Sequence, residues 1–174
     1  MIFAITGTHE QPFDRLVTAL DAYAQRNGDE PVVIQRGYST HVPRFARSEV
    51  MYDQDAMGAL AAEARVIVTH AGPGSIWLAF QHDKIPVVVP RMKRYGEHVD
   101  DHQVTFARHL SSAGRAPAVE EIGTLAEVLD AYDEVIAGFT PPGDASRANR
   151  ARLARALEEM LSPPPGPGGG PPSR

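Results

Sequence analysis

The stretch that most constrains the fold is a β-branched run that ends in a turn of small residues. Residues 66–69 read Val-Ile-Val-Thr, residues 70–75 read His-Ala-Gly-Pro-Gly-Ser, and a helix-compatible segment follows. Gly72 and Gly74 permit positive φ and close approach of a ligand, and Pro73 suits the first turn of a helix. We predict a strand, a turn and a helix that begins near Ser75, with free N–H groups facing the turn. The turn is either a tight connection or an anion site, most often for phosphate.

A second apolar run carries its own polar loop. Residues 85–90 read Ile-Pro-Val-Val-Val-Pro and precede a polar stretch at 91–103. In a doubly wound sheet, neighbouring strands deliver their C-terminal loops to one edge, where ligands bind. We therefore expect the two loops to converge on one crevice, with one loop suited to a pyrophosphate and the other to a sugar.

The order of the elements predicts the fold class. Apolar runs alternate with segments of helical periodicity, which is typical of an α/β, Rossmann-like parallel sheet with helices on both faces. The predicted strands lie at residues 2–6, 31–35, 49–52, 66–69, 85–90 and 116–119. The predicted helices begin near 13 and 75, lie at 55–64, 99–113 and 124–136, and end with one that runs to about 161.

Length and composition bound the domain organisation. The chain of 174 residues is long enough for one domain with a sizeable core, which we place at residues 1–161. Pro and Gly dominate residues 162–174, which predicts a disordered tail. The net charge of -5 gives no sign of a nucleic-acid binder, and the lack of cysteine excludes disulfides and thiolate catalysis. The start lacks a basic signal-peptide region, and no apolar run approaches the roughly 20 residues of a membrane helix, so we expect a soluble, cytoplasmic chain.

Three motifs, in this order and spacing, carry a resemblance to a known family. They are Gly-Thr-His-Glu-Gln-Pro-Phe-Asp-Arg-Leu at 7–16, the turn at 70–75, and Tyr-Gly-Glu-His-Val-Asp-Asp-His-Gln at 95–103. Together they resemble the C-terminal, donor-binding half of family 28 glycosyltransferases of the GT-B fold. Within that family, the chain is most similar to stand-alone versions of this half, above all the PssE-like subunit of two-component exopolysaccharide and capsule glycosyltransferases.

The resemblance implies a set of binding residues. In relatives, the His and the Gly/Ser turn contact the donor's diphosphate, and an Asp/His/Gln element contacts the donor sugar. The implied diphosphate residues are Thr8, His70, Ala71, Gly72, Pro73, Gly74 and Ser75. The implied donor-sugar residues are Glu97, His98, Asp101, His102 and Gln103. Many relatives hold the ribose with a Glu in the first helix, for which Gln81 is the available substitute here.

The resemblance also implies an activity. It suggests transfer of a hexosyl or hexuronosyl group from a UDP-sugar to a lipid-linked saccharide, with inversion, without a metal and with no cofactor beyond the UDP-sugar donor. A membrane-attached, PssD-like partner would supply acceptor binding and place the chain peripherally at the inner face of the membrane. Two other interpretations stay open: a nucleotide-sugar-binding or sensing module without turnover, and a protein related to nucleotide-sugar epimerases.

Several side chains have competing interpretations. His9 and Glu10 are candidate catalytic bases, unless the base belongs to a partner. His70 either donates to a phosphate oxygen or caps the turn, and Ser75 is a phosphate donor, an N-cap or both.

Two patterns allow a metal, and a third allows an anion. The Asp53-Gln54-Asp55 sequence can hold a metal–diphosphate, although an N-cap is favoured. His98 and His102, spaced i and i+4, permit a zinc pair on one helical face, although Val99 stands where a metalloprotease motif needs Glu. The basic cluster at 91–94 either attracts an acidic donor or an anionic acceptor, or forms a solvated loop.

Overall fold

The computed structural model describes residues 1–141; the predicted last helix and the predicted tail lie outside this range. Five parallel strands form one sheet in the order β3-β2-β1-β4-β5. The strands are β1 (Ile2–Ile5), β2 (Val32–Gln35), β3 (Arg47–Glu49), β4 (Val66–Thr69) and β5 (Val87–Val88). The helices are α1 (Asp14–Arg26), α2 (Gln54–Glu63), α3 (Pro73–Gln81), α4 (His102–Ser112), α5 (Leu125–Asp130) and α6 (Tyr132–Ile136), with single-turn helices at Lys93–Tyr95 and Ile122–Thr124.

The two faces of the sheet bury different helices because successive strand residues point to opposite sides. Ala4 and its neighbours on one face pack against Leu16 and Leu20 of α1 and Leu129 of α5. Phe3, on the other face, belongs to a cluster with residues of α2 and α3. The predicted Rossmann-like parallel sheet with helices on both faces is therefore confirmed.

Several predicted boundaries were wrong. The weak strand predicted at 49–52 lies at Arg47–Glu49, and the strand predicted at 116–119 is reduced to a single bridge between Val88 and Ala118. The helix predicted from 99 begins at His102, because Gly96 is left-handed (φ 70°) and the Asp100 carboxylate accepts the His102 N–H, which keeps the chain in turns. The helix predicted at 124–136 is divided between α5 and α6.

The connection from β2 to β3 has no helix; two carboxylates of α1 hold it instead. Asp21, which is buried, accepts backbone N–H groups from Arg44, Phe45 and Ala46 at 2.8–3.0 Å. Asp14, the first residue of α1, accepts the N–H groups of residues 40 and 41. Burial opposes ionisation of Asp21, but these hydrogen bonds outweigh it and lower the pKa of its carboxyl. This anchored loop delivers β3, and the residues after it, to the edge of the sheet that carries the candidate site.

Candidate functional site

A cleft of about 640 Å³ opens at the carboxyl edge of the sheet, and we call it the central cleft. It lies where β1, β3 and β4 end and α3 begins, as expected for a doubly wound sheet. Its walls come from four segments: Ile5, Gly7 and Thr8; Met51, Tyr52, Gln54 and Met57; His70 and residues 72–75; and Leu78 with Gln81 of α3, with Gln35 completing the lining. The expectation that the turn at 70–75 and the loop at 91–103 line one crevice was wrong for this cleft, because the turn meets the segment after β1 and the segment after β3 instead.

The turn at 70–75 differs from the prediction in one respect. The left-handed residue is Ala71 (φ 67°), whereas Gly72 has φ -75° and caps α3, which begins at Pro73. The helix starts two residues before the predicted position because Pro73 is preorganised for the first helical residue. Gly72 is required for a different reason: an added Cβ would come under 3.0 Å from the His70 ring.

The first turn of α3 presents backbone donors to the central cleft. The Ile76 N–H closes the first helical hydrogen bond, to the Gly72 carbonyl, so the N–H groups of Gly74 and Ser75 precede the hydrogen-bonded part of the helix. Both residues line the cleft. Unpaired N–H groups and the positive end of a nine-residue helix together favour an anion at this end of the cleft.

The Ser75 side chain is occupied inside the protein. Its hydroxyl donates to the Gly72 carbonyl at 2.9 Å and contacts the Thr69 hydroxyl, and the residue is buried. The N-cap interpretation of Ser75 was wrong, because Gly72 holds that position. Without rearrangement, Ser75 therefore offers its backbone N–H, and not its hydroxyl, to the cleft.

Ser75→Ala is therefore expected to change nucleotide affinity by less than about threefold while it lowers thermal stability. The lost hydroxyl bonds two protein groups, and a typical hydrogen bond of this kind contributes about 1 kcal/mol. Calorimetric titration of UDP and a melting curve on the same sample measure the two effects. A tenfold loss of affinity with an unchanged melting temperature would show instead that the hydroxyl binds the ligand.

The His70 ring is held between two glycines beneath the central cleft. A Cβ at either Gly7 or Gly72 would collide with the ring. Its Nδ1 lies 3.1 Å from the Ile5 carbonyl oxygen, which can only accept, so Nδ1 carries the proton and the neutral ring leaves Nε2 as an acceptor. Burial lowers the pKa of His70 to about 4, against the weaker opposing effect of that hydrogen bond. At neutral pH, His70 Nε2 thus presents a lone pair, so of the two interpretations of His70 the phosphate donor was wrong.

This depressed pKa predicts a pH-dependent stability. The unfolded chain protonates His70 below its ordinary pKa of 6.5, whereas the folded chain resists protonation down to about pH 4. The contribution of His70 to the free energy of unfolding is therefore complete above pH 6.5 and is lost as the pH falls towards 4. The loss amounts to about 2–3 kcal/mol, since each pKa unit corresponds to roughly 1.4 kcal/mol. Nearby Arg91, His98 and His9 act in the same direction.

The matched variant is His70→Asn, which keeps a donor for the Ile5 carbonyl but does not titrate. Chemical denaturation near pH 7 and near pH 4.5 measures how much unfolding free energy each protein loses between the two pH values. The variant should lose about 2–3 kcal/mol less than wild type. Equal losses of unfolding free energy in wild type and His70→Asn would contradict the assignment of this pH dependence to His70.

The second loop is organised around a buried cation. Arg91 has no exposed surface, and its guanidinium donates to the carbonyls of Thr6, Gln11 and Glu97. It also stacks over the Phe13 ring at 4.9 Å. Burial lowers the pKa of Arg91 to about 10, so the side chain is charged at neutral pH. The interpretation of Arg91 as an attractor of acidic ligands was wrong, because its donors tie the β1–α1 loop to the loop after β5.

Glu97 is the second member of this network. The Arg15 guanidinium donates to both carboxylate oxygens of Glu97 at 2.9 Å, and the Met92 N–H adds a third bond. Glu97 is buried, so it anchors the loop and does not face the central cleft. Both oxygens of Glu97 already accept hydrogen bonds from Arg15, so its side chain is committed to this network.

The remaining residues implied to bind the sugar lie around the start of α4. Gln103 accepts the Arg91 N–H through its side-chain oxygen, Asp101 accepts the Lys93 N–H, and His102 is exposed. His98 lies four residues before α4, so the expectation that His98 and His102 share a helical face was wrong. Within residues 1–141 no group of three His, Asp or Glu residues could hold a metal ion.

The candidate bases lie beside this loop. The His9 ring stacks on the His98 ring with centroids 4.5 Å apart, and its Nδ1 accepts the Gln11 N–H at 3.2 Å. Glu10 is exposed, and it has no hydrogen bond or ion pair with any other residue of 1–141. Thr8, next to His9, lines the central cleft, whereas His9 and His98 are not among its lining residues.

The comparisons with known proteins decide the family. The model of the glycosyltransferase family 28 C-terminal domain matches residues 1–160. The chain belongs to this family. No curated protein matches the chain in sequence.

Solved structures similar to this family 28 domain are GT-B glycosyltransferases. The calicheamicin glycosyltransferase is 15% identical with a TM-score of 0.58, over 93% of this chain and 43% of that one. The MurG protein of Acinetobacter baumannii is 16% identical with a TM-score of 0.51, over 90% and 49%. A glycosyltransferase from a Streptomyces species, complexed with thymidine diphosphate, is 21% identical with a TM-score of 0.53, over 91% and 41%. The domain therefore spans less than half the length of each of these proteins.

The family 28 domain has cleft residues that sequence reasoning missed. Met51, Tyr52 and Met57 form an apolar wall opposite α3, and the Tyr52 hydroxyl is buried without a hydrogen-bond partner among the described residues. Correct placement of β3 would have found them, because they follow its carboxyl end. Asp53 caps α2 by accepting the Ala56 N–H, which confirms the N-cap interpretation of the Asp-x-Asp sequence.

The described part of the domain has no helix that is both long and apolar enough to cross a membrane.

Proposed function

We propose that the central cleft binds a nucleoside diphosphate sugar, with UDP as the nucleotide, and that the domain is the donor-binding unit of a glycosyltransferase. One observation carries the proposal: the cleft joins two chemically different ends. The first turn of α3 supplies unpaired N–H groups for the diphosphate. The wall formed by Met51, Tyr52 and Met57 supplies an apolar surface for a planar base.

The size and charge of the central cleft support this ligand. A volume of about 640 Å³ lies within the range of sites for small molecules and cofactors. Among residues 1–141, no Asp or Glu lines the cleft, so an entering diphosphate meets no carboxylate of this part of the chain. Gln81 lies on α3, in the cleft wall, and is our candidate for the ribose hydroxyls.

We further propose the reaction that the resemblance implies. A hexosyl or hexuronosyl group would pass from the UDP-sugar to a lipid-linked saccharide, with inversion, in exopolysaccharide or capsule synthesis. Since the domain spans 41–49% of the three solved glycosyltransferases described above, a second polypeptide region is needed to match their length. We propose that a membrane-attached, PssD-like subunit supplies it, together with acceptor binding and a location at the inner membrane face.

Calorimetric titration with UDP, UMP, uridine and TDP tests the donor site. UDP is expected to bind at least about tenfold more tightly than uridine, because charge-assisted hydrogen bonds to the diphosphate contribute about 1.5–3 kcal/mol each. Uridine binding as tightly as UDP, or no binding of any of the four, would contradict the site.

A pair of variants at one position isolates the backbone donor. Gly74→Pro removes an unpaired N–H from the first turn of α3, where proline is tolerated. Gly74→Ala keeps that N–H, and its Cβ meets no atom within 4 Å. UDP affinity should fall at least about tenfold further in the proline variant than in the alanine variant. Equal affinities, with both variants folded, would show that this N–H does not hold the phosphate.

A further inference from the structure

A buried amide without a protein partner lies at the floor of the central cleft. Gln35, the last residue of β2, is 4% exposed and lines the cleft. Its carbonyl oxygen accepts the backbone N–H and the hydroxyl of Thr6, at 3.1 and 2.9 Å. Its side-chain amide forms no hydrogen bond within residues 1–141, yet neither atom of that amide is sealed from solvent. The amide therefore opens onto the cleft.

The alternation of strand residues sets the direction of this side chain. Val33 belongs to the core cluster on the face of the sheet that α2 and α3 cover, and Gln35, two residues later, points to the same side. Ile5, the register partner of Gln35 on β1, belongs to the same cluster. Met57 of α2 and Leu78 of α3 line the cleft on this face. The amide is thus a polar group in the floor of a slot with apolar walls.

The order of the strands separates Gln35 from the first turn of α3. The sheet runs β3-β2-β1-β4, so the end of β2 lies two strands from the end of β4, which leads into α3. Adjacent strands are about 4.8 Å apart, which puts the two strand ends roughly 10 Å from each other. On its other side, Gln35 is paired with Glu49, two residues before Met51 of the apolar wall. This position suits the base of a nucleotide whose diphosphate binds at α3.

We propose that Gln35 is a specificity residue of the donor site, and that its amide pairs with the imide edge of uracil. This inference rests on the proposed function. Uracil presents an N–H donor between two carbonyl acceptors. A glutamine amide offers one oxygen acceptor and two N–H donors. Its oxygen accepts the N3–H of the base while its nitrogen donates to the neighbouring carbonyl, so both partners are satisfied inside the slot.

The lack of a protein partner distinguishes this role from a structural one. Gln35→Met keeps the length of the side chain and removes the amide, so UDP affinity should fall at least about tenfold with the loss of two hydrogen bonds. The melting temperature without ligand should stay the same or rise, because no side-chain hydrogen bond within residues 1–141 is lost. Gln25→Met, at an exposed residue of α1, is the control and should bind UDP like wild type. A lower melting temperature with unchanged UDP affinity would overturn the proposal.

A change in the ligand tests the same contact in the wild-type protein. N3-methyl-UDP carries a methyl group in place of the imide N–H, so wild type should bind it at least about tenfold more weakly than UDP. In Gln35→Met this ratio of affinities should fall to about threefold or less, because the partner of that N–H is gone. The same ratio in both proteins would mean that another group reads the base, and the assignment to Gln35 would fail.

Nuclear magnetic resonance shows which part of the nucleotide Gln35 contacts. Its side-chain amide signals, identified by their loss in Gln35→Met, should shift when UDP is added and stay in place when ribose 5-phosphate is added. A shift with ribose 5-phosphate would place the contact on the sugar or the phosphate and overturn the pairing with uracil.

Titration of wild type with UDP separates this inference from the proposed function. If UDP binds and N3-methyl-UDP binds equally well, the Gln35 assignment alone fails. If UDP does not bind, the proposed function fails together with it.

Discussion

Gly72→Ala is expected to weaken UDP binding at least about tenfold and to destabilise the domain by about 1–3 kcal/mol, the usual cost of overpacking. The backbone angle is not the cause, since Gly72 has φ -75°. The cause is space, because the new Cβ would lie under 3.0 Å from the His70 ring. The ring must move, which breaks its bond to the Ile5 carbonyl and disturbs the turn that begins α3.

A double-mutant cycle shows whether the His70 ring is responsible. His70→Ala removes the atoms that the new Cβ would meet, so Gly72→Ala should cost at least about 1 kcal/mol less in that background. Gly58→Ala is the matched control: Gly58 lies within α2, and its Cβ would meet nothing within 4 Å. We expect it to stabilise the domain by about 0.5–1 kcal/mol, with UDP affinity unchanged. Equal costs of Gly72→Ala with and without His70 would contradict this explanation.

Arg91→Met is expected to destabilise the domain by about 3–5 kcal/mol, as removal of one member of a buried charged network does. Methionine matches the aliphatic stem of arginine but has no donor, so the carbonyls of Thr6, Gln11 and Glu97 lose their partner in a buried site. Arg91→Lys should retain little of this stability, because the lysine ammonium lacks the planar guanidinium that reaches several carbonyls at once.

Urea denaturation measures this loss, with fluorescence of the single tryptophan, Trp77, as the signal. Arg94→Met is the control, since the Arg94–Glu121 pair is solvent-exposed and its removal should leave the unfolding midpoint unchanged. A midpoint for Arg91→Met that matches the control would mean that the buried network does not hold the two loops together.

The fold could be predicted from local patterns because those patterns determine it. The run at 66–69 followed by Pro73 defines β4 and the start of α3, and the periodicity of Leu16 and Leu20 defines the buried face of α1. In a parallel sheet, strand ends then fix where the loops meet. The position of the cleft therefore follows from strand order, without knowledge of any side-chain contact.

The roles of individual polar residues could not be predicted in this way. Arg91 and Glu97 resemble surface residues in sequence, and they are buried because their partners, Thr6 and Arg15, lie more than 80 positions away in the chain. The protonation of His70 likewise depends on the carbonyl of Ile5, a residue of another strand. Such long-range contacts leave no periodic signal in the sequence, so the sequence patterns indicated ligand-binding roles for these side chains.

The most direct test of the account is a map of backbone amide shifts as UDP is added to the ¹⁵N-labelled chain. We expect the largest changes at Gly72, Gly74 and Ser75, with a second group at Met51, Tyr52 and Met57, because these segments form the two ends of the central cleft. Changes concentrated instead in the groove of about 240 Å³ between α1 and α5 would contradict the account. No change at the α3 turn at saturating UDP would contradict it equally.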